Sequence, residues 1–205
     1  LQVREVMIFL EAHGASGALA ARIFKRYGTD ASTIVSAEPY RLAIEVHGVG
    51  FRTADKIAEG IGVLPNAPER LQAGVLQALS DASEDGHTAL PKDALLARAE
   101  ALLPRGDYVP EREDIERAIA ALTMRGFVIP CVASATSVDG ASDAVLALRH
   151  LHAAESRMAA RLFEIARADA KALPGVADAI ARFEREKRVV LAEEQRRAID
   201  AAANH

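Results

Sequence analysis

Apolar residues recur at helical spacing along most of this 205-residue chain. In its middle part the spacing predicts three helices, over 69–84, 92–103 and 111–125. Short extended segments are predicted at 88–91, 127–129 and 144–148, and a Ser/Gly/Asp-rich loop at 134–143 separates the last two. The resulting order is helix, strand, helix, helix, strand, strand, which is the order of a winged-helix domain. Further helices are predicted from residue 150 to the C-terminus.

The first 63 residues contain one supersecondary unit twice. A shift of 34 positions places His13-Gly14 on His47-Gly48 and the apolar residue Ile23 on Ile57. Matching positions at a fixed offset indicate one unit that is used twice. The first copy is degenerate, because its hairpin reads Gly-Ala-Ser-Gly from residue 14. With a short connecting helix over 30–37, the two units predict a compact five-helix module.

The second copy carries the most informative motif, His-Gly-Val-Gly-Phe-Arg-Thr-Ala-Asp-Lys-Ile-Ala at 47–58. Gly48 and Gly50 allow a sharp turn that leaves backbone N–H groups facing outward. The helix that follows adds unpaired N–H groups and a partial positive charge, which together favour a phosphate. This is a helix-hairpin-helix pattern, and it predicts sequence-independent binding of DNA phosphates. The predicted contacts are the backbone of Gly48 and Gly50 and the side chains of Arg52, Thr53, Lys56 and, from the first copy, Arg22.

A second interpretation makes the hairpins simple packing turns within a protein-interaction module. The chain has a net charge of −4, and basic and acidic residues nearly balance over 1–62. This balance predicts weak DNA binding that salt strongly reduces. The third predicted helix of the winged domain begins with Glu111, Glu113 and Asp114, which would repel phosphate. We therefore expect this domain to have a structural or protein-contacting role.

The amino-acid composition favours a helical protein and predicts no membrane span. Aromatic residues make up only 4% and alanine is abundant, which favours closely packed helices. No run of about 18 apolar residues occurs, so no membrane span is predicted. The single cysteine, Cys131, suits a reducing compartment and a cytoplasmic location. With no initiator methionine and no signal peptide, we expect the chain to be a piece excised from a longer protein.

Three features in order carry a family resemblance: the tandem hairpin, the small winged helix, and Leu-x-x-Glu-Gln-x-x-Ala-Ile at 191–199. The chain resembles the N-terminal region of RecD-like ATP-dependent DNA helicases, also known as the exodeoxyribonuclease V alpha subunit type. The match is most specific at 48–58. The resemblance implies a parent protein that translocates 5′ to 3′ on DNA with ATP and Mg²⁺ in repair and recombination. It also implies that Gln195 contacts adenine.

The sequence does not contain the chemistry of such a motor. It has no Gly-x-x-x-x-Gly-Lys-[Ser/Thr] loop for ATP phosphates, and no Ser/His/Asp set or cysteine with a placed base. We expect no catalytic residue, metal or cofactor here, and no hydrolysis by this chain alone. The expected partners are DNA, the helicase motor or a single-strand-binding protein. The predicted fold is mainly α: a tandem helix-hairpin-helix at 1–66, a winged-helix-like α/β domain at 67–149, and a helical linker with the start of the motor domain at 150–205.

Overall fold

Helices dominate the computed structural model, which describes residues 2–131, 145–167 and 173–204. The predicted mainly α class is therefore confirmed, with one small antiparallel sheet in the described chain. The predicted loop at 134–143 lies outside the described residues. The chain divides into two compact units, Leu1–Ala153 and Ala154–His205. The domain boundaries that we predict at residues 66 and 149 stay predictions.

Five helices form the N-terminal part, in the number that the repeat predicts. They are α1 (Gln2–Ala12), α2 (Gly17–Tyr27), α3 (Ala31–Ala37), α4 (Arg41–Glu45) and α5 (Phe51–Gly60), with a 3-10 turn at Gly28–Asp30. Helices α1 and α2 flank the first hairpin, and α4 and α5 flank the second. Their buried faces carry the repeated apolar positions, since Ile23 and Ile57 are both fully buried. The repeated apolar positions of the sequence therefore occupy equivalent buried positions in the two copies.

The next segment has the predicted order of elements. It contains α6 (Pro68–Glu84), β1 (Ala89–Pro91), α7 (Lys92–Leu102), α8 (Arg112–Met124), β2 (Val128–Cys131) and β3 (Val145–Leu148). Strand β3 lies between β1 and β2 and pairs antiparallel with both, placing Leu146 opposite Leu90 and Ala147 opposite Ile129. Helix α6 packs on α7 and α8 through an apolar stripe that includes Leu71 and Val75.

One hydrophobic core runs through the first unit, from Val6 in α1 to Leu148 in β3. Helix α6 closely approaches the end of α7, where a Cβ atom on Gly74 would lie 2.4 Å from Leu103 Cδ2. Only glycine allows this approach, so the two elements are locked at short distance. Because the core is continuous, the hairpins rest on the α6–α8 layer.

The second unit contains most of α9 (Arg149–Arg167), together with α10 (Val176–Lys187) and α11 (Glu193–Asn204). Polar contacts hold α10 to α11. Glu184 accepts hydrogen bonds from Arg196 Nη2 at 2.7 Å and from the Leu191 N–H at 2.7 Å. No side chain of α9 or α10 is buried in the described ranges.

Candidate nucleic-acid interface

The second hairpin turns at Gly48, and α5 begins directly after its N-cap residue, Gly50. Gly48 has a φ of +76°, in the region that side-chain-bearing residues avoid. Gly50 is the N-cap of α5 in an extended conformation, with φ −95° and ψ 175°. A Cβ atom on Gly50 would meet no heavy atom within 4 Å, so the space in front of the helix is open.

The N-terminus of α5 keeps donors available for an anion. Gly50 has no side chain to cap it, and within the described chain the N–H groups of Gly50 and Arg52 donate no hydrogen bond. The N–H of Phe51 donates to Gln77 Oε1 of α6 at 3.2 Å. In the first hairpin the equivalent cap is Ser16, whose hydroxyl accepts the Leu19 N–H. The degenerate hairpin therefore caps its own helix, and the second does not.

Each hairpin carries a basic side chain from the other copy. Arg22 Nη1 donates to the carbonyl oxygen of His47 at 3.0 Å, and a Cβ atom on Gly48 would lie 2.6 Å from it. The stem of Lys56 lies against the first hairpin, where its Cγ would be 3.5 Å from a Cβ on Gly14. Since Arg22 and Lys56 match at the repeat offset of 34 residues, the exchange of basic side chains between the copies is reciprocal.

The predicted site residues do not all lie at the second hairpin. Arg22 is at the second hairpin, and Arg52 is exposed on the first turn of α5. Lys56 is exposed one helical turn further on, but its stem reaches the first hairpin instead of its own. Thr53 is half-buried, and its N–H donates to the Gly50 carbonyl at 3.1 Å.

The basic residues at the hairpins carry uncompensated charge. In the described chain Arg22, Arg52 and Lys56 form no ion pair with a carboxylate. Two other arginines of the repeat are paired: Arg26 with Glu45 at 2.8 Å, and Arg41 with Glu38 and Glu45. The Arg41 guanidinium also lowers the pKa of Glu45, because its hydrogen bond favours the carboxylate. The ion pairs thus neutralise Arg26 and Arg41 and leave the predicted contact residues charged.

Asp55 fixes α5 to the layer beneath it. Its carboxylate accepts a two-pronged contact from Arg70, with Nε at 2.9 Å from Oδ1 and Nη2 at 2.9 Å from Oδ2. Arg70 is only 1% exposed, and its Nη1 also donates to the carbonyl oxygens of Pro65 and Leu103 at 2.9 and 2.8 Å. Asp55 also accepts the Tyr40 hydroxyl at 2.6 Å.

This cluster was not predicted from the sequence. We count Asp55 among the acidic residues that weaken DNA binding, but in the structure it faces inward and is neutralised by Arg70. The sequence does contain an indication of this ion pair. Arg70 lies four residues before Gly74 on the apolar stripe of α6, where a buried charged side chain requires a partner. Burial raises the pKa of Tyr40, and the hydrogen bond to Asp55 adds to the effect. Tyr40 therefore stays a neutral donor, and its ring stacks on Phe51 at the start of α5.

Gln195, the adenine contact that the family resemblance implies, is exposed in the first turn of α11. Its Oε1 accepts the N–H of Ala192 at 3.0 Å, an arrangement that caps the helix. Among the described residues no group of three or more His, Cys, Asp or Glu side chains could hold a metal ion. None of the described helices is both long and apolar enough to cross a membrane.

Sequence comparison with known proteins finds matches for the N-terminal part of the chain. The family model for the ATP-dependent RecD2 DNA helicase HHH domain matches residues 1–89. The ATP-dependent RecD2 DNA helicase of Deinococcus radiodurans is 34% identical over 90 residues, which are 43% of this chain and 12% of that relative. The matched region contains both hairpins, the Asp55–Arg70 pair and the whole of α6. Residues 1–89 are therefore similar in sequence to the HHH domain of ATP-dependent RecD2 DNA helicases, and the chain spans only a small part of that relative's length.

Proposed function

We propose that residues 1–63 hold backbone phosphates of DNA, independently of sequence, as an accessory region of a helicase. The N–H groups of Gly48, Gly50 and Arg52 contact a phosphate at the second hairpin. Arg22 and Arg52 add charge from two sides, and Lys56 adds charge beside the first hairpin. Thr53 contributes its hydroxyl from the first turn of α5.

One observation carries this proposal: Arg22 and Arg52, neither paired with a carboxylate in the described chain, lie at an uncapped helix N-terminus with open space before it. Arg22 is held at the Gly48 turn by a carbonyl oxygen, so its charge is positioned but not neutralised. Asp55, the acidic residue nearest in sequence to Lys56, is neutralised by a buried arginine. The local charge is therefore more favourable to phosphate than the net charge of −4 indicates.

The experiment is a fluorescence titration of the chain against labelled single-stranded, duplex and forked DNA at two salt concentrations. Lys56→Ala should weaken binding equally for all sequences and lower the salt slope by about one unit, as expected for one lost phosphate contact. Arg98→Ala is the control, because Arg98 is paired with Asp85 at 3.0 Å, away from both hairpins. Unchanged affinity and slope for Lys56→Ala would remove Lys56 from the interface.

The competing function is docking onto a protein, such as the helicase motor or a single-strand-binding protein. It is favoured by Ile44 of α4, which is 73% exposed three residues before the second hairpin, and by the acidic start of α8. Ile44→Asp should destroy such a docking surface and leave DNA binding intact. Loss of DNA binding in that variant would instead place Ile44 inside the DNA interface.

For a longer protein that contains this chain we propose the ATP-dependent DNA helicase activity that the relative's name gives. The family resemblance adds the proposal that it moves 5′ to 3′ with ATP and Mg²⁺ in DNA repair or recombination. In that setting Gln195 would contact adenine. An exposed glutamine in the first turn of α11 is compatible with this role. The test is ATPase activity of the longer protein with Gln195→Ala, where a raised KM for ATP is expected. An unchanged KM would remove Gln195 from the nucleotide site.

A further inference from the structure

A second basic surface lies at the C-terminal end of α8, away from the hairpin repeat in sequence. Phe127, between α8 and β2, is 43% exposed. Two guanidinium groups flank its ring: Arg125 Cζ is 4.9 Å and Arg149 Cζ 5.9 Å from the ring centroid. Arg125 and Phe127 lie in the turn between α8 and β2, and Arg149 is the first residue of α9. We call the surface formed by these three residues the Phe127 cluster.

Neutral atoms hold both arginines in place. Arg149 donates through Nε to the Gly126 carbonyl and through Nη2 to the Arg125 carbonyl at 3.0 Å. Arg125 Nη1 donates to Gln72 Oε1 at 3.0 Å. Neither forms an ion pair with a carboxylate in the described part of the chain, whereas seven other arginines of the first unit do: Arg26, Arg41, Arg70, Arg98, Arg105, Arg112 and Arg117. The cluster is therefore ordered and still positively charged.

The acidic start of α8 does not cancel this charge. Glu113 and Arg125 are twelve residues apart, so the helix separates them by about 18 Å. That distance exceeds the screening length of about 10 Å in 0.1 M salt. The acidic end and the basic end of α8 are thus electrostatically separate surfaces.

We propose that the Phe127 cluster is a contact site for single-stranded nucleic acid. Phosphates of the strand bind Arg125 and Arg149, and an unpaired base packs on the exposed part of the Phe127 ring. A partly exposed aromatic ring between fixed cations has the chemistry that single strands require, because every base offers a π-face and every linkage a negative charge. The site does not depend on the hairpin proposal. It assigns nucleic-acid binding to the winged-helix-like domain, for which the acidic start of α8 predicts a structural or protein-contacting role.

A tryptophan reporter gives the direct test, because the chain contains no tryptophan. Phe127→Trp is titrated with an oligothymidylate of about twenty nucleotides, and then with an abasic oligomer of equal length and charge. Quenching by oligothymidylate but not by the abasic strand is expected. Phe163→Trp is the matched control, since Phe163 is 58% exposed with Arg167 Cζ 4.0 Å from its ring centroid. Equal quenching at both positions, or none at position 127, would overturn the proposal.

Affinity measurements then distinguish base stacking on the Phe127 ring from simple apolar packing against it. Phe127→Ala should weaken binding of the oligothymidylate about tenfold, and Phe127→Leu should weaken it nearly as much, because leucine keeps apolar bulk but has no π-face. Arg125→Gln should lower the salt slope by about one unit, while Arg98→Gln should not change it. A Phe127→Leu variant that binds like the parent chain would contradict base stacking.

The two sites are distinguished by repeating the titration in the Arg52→Ala/Lys56→Ala background. If Phe127→Trp is still quenched there, the cluster binds the strand on its own and the inference stands whatever the hairpin does. If quenching disappears with the hairpin variant, the cluster is not an independent site and the inference fails. A protein occupant of this surface would leave the oligothymidylate titration without quenching, which also refutes the proposal.

Discussion

Removing the Asp55 carboxylate should be among the most damaging single changes in the first unit. The carboxylate compensates Arg70, which is 1% exposed and has no access to water. In Asp55→Ala, Arg70 keeps its contacts to the carbonyl oxygens of Pro65 and Leu103 but loses both contacts to the carboxylate. A buried cation would then be left without a counter-charge.

The magnitude follows from these contacts. Hydrogen bonds to charged groups contribute about 1.5–3 kcal/mol each, and Asp55→Ala loses the two-pronged contact from Arg70 together with the bond from the Tyr40 hydroxyl. Breaking a buried ion pair by removing one partner costs about 3–5 kcal/mol by an independent route. We therefore expect Asp55→Ala to lower the free energy of unfolding of the first unit by about 3–5 kcal/mol. Asp55→Ala combined with Arg70→Met should recover part of the loss, because Arg70 no longer buries an unpaired charge, whereas Arg105, 3.6 Å from Asp55, still loses this partner.

The assay is urea unfolding followed by far-UV circular dichroism, with the midpoint and slope fitted for each variant. Arg98→Ala is the matched control, because the Arg98–Asp85 pair is partly exposed and should contribute about 0–1 kcal/mol. If Asp55→Ala cost no more than this control, or if the double variant showed no recovery, the reasoning about a buried compensated charge would be refuted.

Three further predictions concern packing, access and titration. Gly74→Ala should destabilise the first unit by about 1–3 kcal/mol in urea unfolding, because its Cβ would lie 2.4 Å from Leu103 Cδ2; a wild-type midpoint would contradict this packing. Gly50→Ala should keep the stability within about 1 kcal/mol but weaken DNA binding, because the new Cβ enters the open space before α5; unchanged affinity would argue against phosphate contact there. All three tyrosines should ionise above the usual pKa of about 10, because burial raises the pKa of each hydroxyl. Their contribution to the free energy of unfolding is then full below pH 10 and falls as the pH rises above 10. A titration at 295 nm with the usual tyrosine pKa would contradict this burial.

The helices of the first unit were predictable because each buries one face. The stripe on α6 and the apolar positions of α8 gave helices within one residue of the observed bounds, Pro68–Glu84 and Arg112–Met124. The repeat predicted two hairpins because the same apolar positions fill the same core. Local spacing is enough where burial of one face decides the structure.

The electrostatics of the site could not be predicted in the same way. Arg22 and Lys56 each lie at the other copy's hairpin, which depends on how the two copies pair and not on local spacing. The neutralisation of Asp55 by Arg70 joins residues 15 positions apart in sequence, so counting charges along 1–62 overestimated the repulsion of phosphate. The Phe127 cluster brings together Arg125 and Arg149, 24 positions apart, because β2 and β3 are antiparallel and pair Val128 with Leu148.

The central claim is that the hairpins bind phosphate through positioned cations. The most direct measurement compares forked-DNA binding at several salt concentrations for the parent chain, for Arg52→Ala/Lys56→Ala, and for Lys92→Ala/Arg98→Ala. The last variant removes the same charge from residues that are ion-paired with Glu116 and Asp85. The account predicts that the hairpin variant lowers the salt slope by about two units and loses affinity, while the matched variant keeps both. Equal losses in the two variants would show that only net charge matters and would contradict the account.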